Sequence, residues 1–357
     1  VGDVVEVDEP ILGGRTAIPL AGPANRQGRF VCANLLSGET AEPYSGSIGT
    51  SVAKIFDMTA ASTGANEKAL KRAGQVYGED YFISLVHPMH HVGYYPGALP
   101  LTLKLIFAKD GRVLGAQIAG FAGVDKRIDV IASAIHFKGT VRDLAELELA
   151  YAPPYGAAKD PVNLAGFAAE NILRGYTEPL TVEEYLANPD AYELIDVREE
   201  PELMAGTLPG ARWIALSSLR SRWQELDRDK TYVVFCAVGL RGYIAERILK
   251  QRGFHARNLL GGLRTYTALA RGACQPQEKS ESGQEDKRPD APGAAVAKEI
   301  KLLDVCGLSC PGPIVEVGKI VKELQDGEQV KVVATDPGFS RDIIGWCANT
   351  GNTLVAT

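Results

Sequence analysis

Two apolar runs, residues 101–108 and 112–120, flank Lys109-Asp110-Gly111, a turn triplet that predicts a β-hairpin. Apolar residues recur at helical spacing over 24–36, 125–137 and 161–173. Between 44 and 175 the expected order is helix, then strands, then helix, an α+β domain with an antiparallel sheet. Before it, the chain reads as a strand end, a loop and one helix. From 181 to 271 the pattern changes. Short apolar runs at 192–196 and 231–236 alternate with amphipathic stretches at 182–187, 216–225 and 242–251. That alternation predicts a parallel sheet with helices on both faces. Functional groups then belong at the carboxyl ends of the strands, where Asp196 and Cys236 fall. A third pattern follows: strand at 300–305, helix at 311–324, strand at 329–335, helix at 340–349 and the start of a strand from 353, a βαβα(β) two-layer arrangement. The chain is thus expected to be multidomain, α/β and α+β.

Between the second and third patterns, residues 274–295 alternate charges with Ser, Gly and Pro and show no apolar period. Such a segment cannot bury a core and is expected to be a disordered linker. A second boundary falls near Arg174-Gly175, where a helical pattern ends and Pro179 follows. The expected divisions are 1–43, 44–177, 178–273, linker 274–297, and 298–357. A length of 357 residues accommodates them.

Charge and composition narrow the function. The net charge of −6 gives no reason to expect nucleic acid. No apolar stretch approaches the roughly 18 residues that span a bilayer. The chain opens Val1-Gly2-Asp3 with neither methionine nor a signal-peptide pattern, so its start is expected to be a cut. The C-terminus, which stops mid-pattern, is expected to be one too. Six cysteines in a chain of this length do not make a disulfide framework. Reduced thiols and a cytoplasmic location are expected.

Two of those cysteines stand where chemistry is expected. Cys236 ends the apolar run Tyr232-Val233-Val234-Phe235 and precedes a helix; Cys310 lies in Cys306-Gly307-Leu308-Ser309-Cys310-Pro311-Gly312-Pro313 and opens another. A thiol at a helix N-terminus sees the positive end of the dipole and unpaired N–H groups, which favour thiolate. The six-residue loop of Cys236, Ala237, Val238, Gly239, Leu240 and Arg241 can turn successive N–H groups inward as an anion nest that stabilises a cysteine persulfide. Arg241 adds a fixed charge for a thiosulfonate or polysulfide, and Gly239 relieves crowding at the bend. The plain alternative is a buried core cysteine at a strand end. Pro311 suits the first helical position after Cys310. Cys306 and Cys310 have C-x₃-C spacing without a second ligand pair, so no metal is expected, and a redox pair is the better alternative. His87, His90 and His91 likewise lack a carboxylate or Cys nearby in sequence, and Cys347 reads as core.

Leu194-Ile195-Asp196-Val197-Arg198-Glu199, Gly206-Thr207-Leu208-Pro209-Gly210-Ala211, the Cys236 loop and Gly261-Gly262 resemble, in order and spacing, the single-domain rhodaneses. The resemblance implies sulfur transfer through a persulfide on Cys236, with a six-residue loop that fits sulfur. Asp196 and Arg198 would brace the fold. Thr207, where the family often has His, is a departure at a structural position. The Cys-Pro-Gly-Pro run after Leu303-Asp304-Val305 resembles TusA-type sulfur carriers, which implies that Cys310 carries sulfur as a persulfide; Cys306 stands where most such carriers have no cysteine.

Gly2-Asp3 and the run Leu20 to Arg29 resemble the end of the FAD domain in flavoprotein disulfide reductases. That resemblance implies an FAD-domain remnant over 1–43, with Asp3, Ala21, Gly22 and Asn25 on the cofactor side. His91-Val92-Gly93-Tyr94-Tyr95-Pro96-Gly97 and Tyr151-Ala152-Pro153-Pro154-Tyr155 resemble the dimerisation domain of coenzyme A-disulfide reductases and their persulfide-reductase relatives. There a tyrosine from each run reaches the partner subunit's active site; Tyr94 and Tyr151 are the choice here, with Tyr95 and Tyr155 the neighbouring alternatives. The chain has no G-x-G-x-x-G run and no second dinucleotide fold, so it is not expected to bind a cofactor tightly alone.

The resemblances together imply part of a homodimeric enzyme using FAD and NAD(P)H to reduce CoA-disulfide, CoA-persulfide or polysulfide. The expected small-molecule partners are CoA, polysulfide and thiosulfate. The alternative is a delivery module that passes persulfide sulfur to an acceptor protein without NAD(P)H chemistry.

Overall fold

The computed structural model describes residues 1–37, 44–272, 301–306, 308, 312–325, 328–334 and 339–355, which form two compact units, Val1–Pro179 and Leu180–Thr357. The expected linker and Cys310 lie outside the described residues.

The first unit opens with an antiparallel pair, β1 (Glu6–Asp8) and β2 (Arg15–Ala17), and a long helix, α1 (Ala21–Ser37). The segment before residue 44 therefore holds a small hairpin, not merely a strand end. Strands β3 (Ser51–Ile55) and β4 (Met58–Gly64) follow, and only then α2 (Glu67–Arg72). The expected order, helix first, is thus corrected. Four of the five β3 residues are exposed, so β3 carries no apolar alternation to read. Strands β5 (Tyr81–Val86), β6 (Leu101–Ala108) and β7 (Val113–Gly120) complete an antiparallel sheet in the order β3-β4-β7-β6-β5.

Helices α3 (Val124–His136), α4 (Val141–Glu146) and α5 (Pro161–Leu173) contribute to one core with this sheet. Leu101, Leu103, Leu105 and Phe107 alternate inward along β6 against Ile128, Ile131 and Val162. Asp160 caps α5 with Pro161 in the first turn, and Asn163 returns a bond to the Asp160 N–H.

The second unit contains a sheet of β8 (Pro179–Leu180), β9 (Glu193–Asp196), β10 (Arg212–Trp213), β11 (Thr231–Phe235) and β12 (His255–Leu259) in the order β10-β9-β11-β12-β8. The pairs β10-β9, β9-β11 and β11-β12 are parallel. Its outer strands are two residues each. The helices are α6 (Val182–Ala187), α7 (Leu216–Arg222), α8 (Leu240–Lys250) and α9 (Gly262–Gly272). Two apolar clusters bury the central strands, one holding Ile195, Val234 and Cys236, the other Leu194, Val233 and Phe235. This is the period-two division of a strand covered on both faces.

Beyond 300, β13 (Lys301–Asp304) and β14 (Val330–Val333) pair in parallel, with α10 (Gly312–Val321) and α11 (Phe339–Thr350). The core here is Ile314, Val317, Phe339, Ile343, Trp346 and Cys347. Residues 353–355 are exposed and form no strand, contrary to the expectation from 353 onward. No helix among the described residues is long and apolar enough to cross a membrane.

Candidate functional site

Cys236 follows the last residue of β11 and is 1% exposed. Helix α8 starts four positions later, so the thiol is not the helix cap; Gly239 is, at φ +105°. That left-handed turn brings the Gly239 N–H back to donate to Cys236 Sγ at 3.2 Å. The start of α9 holds the loop from the other side. The N–H groups of Leu263 and Arg264 donate to the carbonyls of Cys236 and Ala237 at 2.9 and 3.0 Å. Gly262 is required there, because a Cβ would stand 2.3 Å from Cys236 O. Asn258 donates to Gly239 O at 3.2 Å.

Arg241 is not a free charge. Glu202 clasps it with both carboxylate oxygens, Nη2 to Oε1 at 2.7 Å. That bond, then the charge of Glu202 and the nearby Cys236 thiol, push the guanidinium above its ordinary value against the lowering effect of burial. Burial raises Glu202, but Arg241 outweighs it and the carboxyl lies below its ordinary value. Glu202 was not legible as a site residue: it lies 39 positions from Arg241, in a surface-type run of glutamates.

The buried pair Asp196–Arg198 braces this site. Arg198 Nη2 lies 2.6 Å from Asp196 Oδ2, and the same guanidinium donates to Glu202 O at 3.0 Å and Gly206 O at 2.6 Å. Thr207 donates to Asp196 Oδ2 at 2.6 Å, the contribution a hydroxyl can make in that position.

In the first unit the two tyrosine runs converge. The Tyr94 and Tyr151 hydroxyls are 3.2 Å apart, and the side chains are 77% and 46% exposed. The hydrogen bond to Tyr94 is the main cause that raises Tyr151 above its ordinary value. Arg127, 1% exposed, organises both runs. Its Nη2 donates to His90 O and to Asp160 Oδ2, each at 2.8 Å, and Asp160 caps the helix that follows the Tyr151 run. Val92 N–H donates to Gly156 O at 3.0 Å, which stitches the two runs directly. Arg127 and Asp160 were not legible as site residues; each looks like an ordinary charge on or beside a helix.

The histidines form a hydrogen-bond chain. Leu99 N–H donates to His90 Nδ1 at 3.0 Å, with Leu99 O 3.2 Å from the same nitrogen, and His90 Nε2 and His91 Nδ1 share a hydrogen bond of 2.7 Å. His91 Nε2 then donates to Tyr95 O at 3.1 Å. Burial holds His90 below its ordinary value, opposed by the Leu99 carbonyl and assisted by His91 and Arg127. Among the described residues no group of His, Cys, Asp or Glu is arranged to hold a metal. Tyr155 is 73% exposed.

A cleft of about 750 Å³ opens at the start of α1, lined by Leu20, Ala21, Gly22, Arg26, Phe30 and His136 among others. Asn25 donates to Ala21 O at 2.8 Å, and Asp3 stands in the 3₁₀ turn Gly2–Val4. Ala21 and Gly22 present only a methyl group and a hydrogen there, so this wall of the cleft leaves room for a planar group.

In the C-terminal domain, the Asp304 carboxylate is the main cause that pushes the Cys306 thiol up, which disfavours thiolate there. Cys347 is buried in the core, as its apolar position implied, and burial raises it.

Residues 50–160 match the pyridine nucleotide-disulphide oxidoreductase dimerisation domain, 181–269 the rhodanese-like domain, and 301–357 sulfurtransferase TusA. A coenzyme A disulfide reductase of Staphylococcus epidermidis is 40% identical over 171 residues, 48% of this chain and 37% of the relative. The reduced CoADR-RHD of Bacillus anthracis superposes with a TM-score of 0.72 at 46% identity, covering 76% of this chain and 48% of that one. An NAD-dependent persulfide reductase from A. fulgidus gives 0.66 and 40%, covering 74% and 47%. The chain thus spans 37% of that curated relative and about half of each structure. It carries, in order, a dimerisation domain of the pyridine nucleotide-disulphide oxidoreductases, a rhodanese-like domain and a TusA domain, and is related to the coenzyme A disulfide reductases.

Proposed function

We propose that this chain is part of a flavin- and NAD(P)H-dependent reductase of CoA-disulfide, CoA-persulfide or polysulfide, and that its last two domains move sulfane sulfur from Cys236 to Cys310. The observation that carries the proposal is the Cys236 loop: an enclosed thiol accepting the Gly239 N–H, beside an arginine held by Glu202. With thiosulfate, the Cys236 thiolate attacks the outer sulfur, the S–S bond breaks, and sulfite leaves with the electron pair. The terminal sulfur of the resulting Cys236 persulfide can settle among inward N–H groups. A Cys310 thiolate then attacks that sulfur, and the Cys236 thiolate is released.

A bound flavin would supply the hydride and electron chemistry of the reductase; Ala21 and Gly22 would border it, with Asp3 and Asn25 on the same segment. This chain's own share is proton handling. Either hydroxyl of the Tyr94–Tyr151 pair can donate to a departing thiolate while the other holds the donor in place. Their exposure suits a site completed by a second subunit, in a homodimer built through residues of about 44–175.

The test is intact mass after brief exposure to thiosulfate or polysulfide, on wild type, Cys236→Ser and Cys310→Ser. Wild type should gain sulfur at both cysteines, and Cys236→Ser should leave Cys310 unloaded. Equal loading of Cys310 without Cys236 would sink the relay.

A further inference from the structure

The 3₁₀ turn Glu200–Ala205 engages two domains at once. Glu202 holds Arg241 of the Cys236 loop. Two residues on, Met204 packs into the TusA-domain core of Ile314, Val317, Ile343 and Trp346. The contact is shaped for a thioether. A Cβ at Gly318 would stand 2.7 Å from Met204 Cε and 3.5 Å from its Sδ, with Trp346 Cζ2 at 4.0 Å. Met204 thus fills the space a side chain at 318 would need, with an indole edge beside it. A glycine inside a helix costs about 1 kcal/mol relative to alanine. Gly318 lies inside α10, and admission of Met204 is the packing reason for it. The turn is rigid enough to act as a key, because Arg198 donates to Glu202 O and to Gly206 O from its buried pair with Asp196.

We infer that Met204 is an intramolecular docking key: the TusA domain seats on the rhodanese-like domain by receiving Met204 against Gly318, on the turn whose Glu202 holds the arginine of the Cys236 loop. The seat sets which face of the TusA domain meets the rhodanese-like domain. Seating is a packing contact and goes beyond the proposed relay, since it requires no sulfur to move.

Hydrogen exchange on the whole chain tests it without sulfur chemistry. The N–H groups of Glu202 and Gly206, bonded to Glu199 O and Leu203 O at 3.0 and 2.9 Å, report on the turn. Met204→Ala changes no residue of the TusA domain, and Gly318→Leu none of the rhodanese-like domain. Each should speed exchange about tenfold in both 200–206 and 312–321. In Met204→Ala, β9, β11, β13 and β14 should keep wild-type protection. Wild-type exchange of 200–206 in either variant would overturn the seat. So would loss of β13 and β14 protection in Met204→Ala, which would make Met204 a core residue of the TusA domain.

Discussion

The tyrosine pair and the Cys236 loop rest on the same device and differ in what it leaves outside. Each is braced by a buried arginine–aspartate pair whose guanidinium also donates to backbone carbonyls of segments beside the functional one. Arg127 reaches Gly123 O and His90 O; Arg198 reaches Glu202 O and Gly206 O. In the first unit the paired hydroxyls stand in solvent, 77% and 46% exposed, whereas in the second the thiol is 1% exposed. Rigid backbone support is thus separable from enclosure. Under the proposed function this difference is useful: a proton donor that works on a group brought by another surface is best left uncovered, while a persulfide needs protection from competing thiols and water.

The sharpest way to break this comparison is to remove one brace. Arg127→Met and Arg198→Met each leave a buried carboxylate, Asp160 or Asp196, without its cation. Each should cost about 3–5 kcal/mol in chemical denaturation of its own unit. A loss under 1 kcal/mol would show that the pair is not the support. Gly262→Ala comes next. Its Cβ would meet Cys236 O, at a φ of +62° that disfavours side chains. A loss of about 2 kcal/mol with impaired sulfur loading is expected, and normal loading would show the loop tolerates displacement.

Glu202→Gln should cost about 2 kcal/mol, the worth of a charge-assisted bond. The effect has a sign in pH. The folded carboxyl lies below its ordinary value of 4.5. The stabilisation is therefore complete above about pH 4.5 and is lost as pH falls through the lower folded value. Wild type and Glu202→Gln should converge in that acid range; a constant gap would assign the effect to packing. The smallest effect belongs to the exposed pair. Tyr94→Phe should change stability by no more than about 0.5 kcal/mol. It should lower the titration midpoint of Tyr151, read by ultraviolet absorbance, because the bond to Tyr94 is the main cause of its elevation.

Much of the architecture was legible because burial leaves a period. β6 and α5 occupy the residues read from apolar spacing, and the buried runs around Asp196 and Cys236 announced a parallel sheet. The β3–β4 hairpin was missed because a solvated strand has no apolar face to betray it. At the sites, Cys236, Tyr94 and Tyr151 stood out by residue type and local motif. Glu202, Arg127 and Asp160 did not, since their roles come from partners tens of positions away, and a charge pattern along the chain carries no record of them. The bond between the Tyr94 and Tyr151 hydroxyls likewise depends on two loops brought together by packing.

The sheet of the rhodanese-like domain ends on both sides in strands of only two residues, β8 and β10. A foreign strand would find almost no ladder there to extend, so the sheet offers little template for aggregation. That makes the domain a safe neighbour on a nascent chain. Its central strands can pair before, during or after the folding of the segments on either side, with little risk of recruiting theirs.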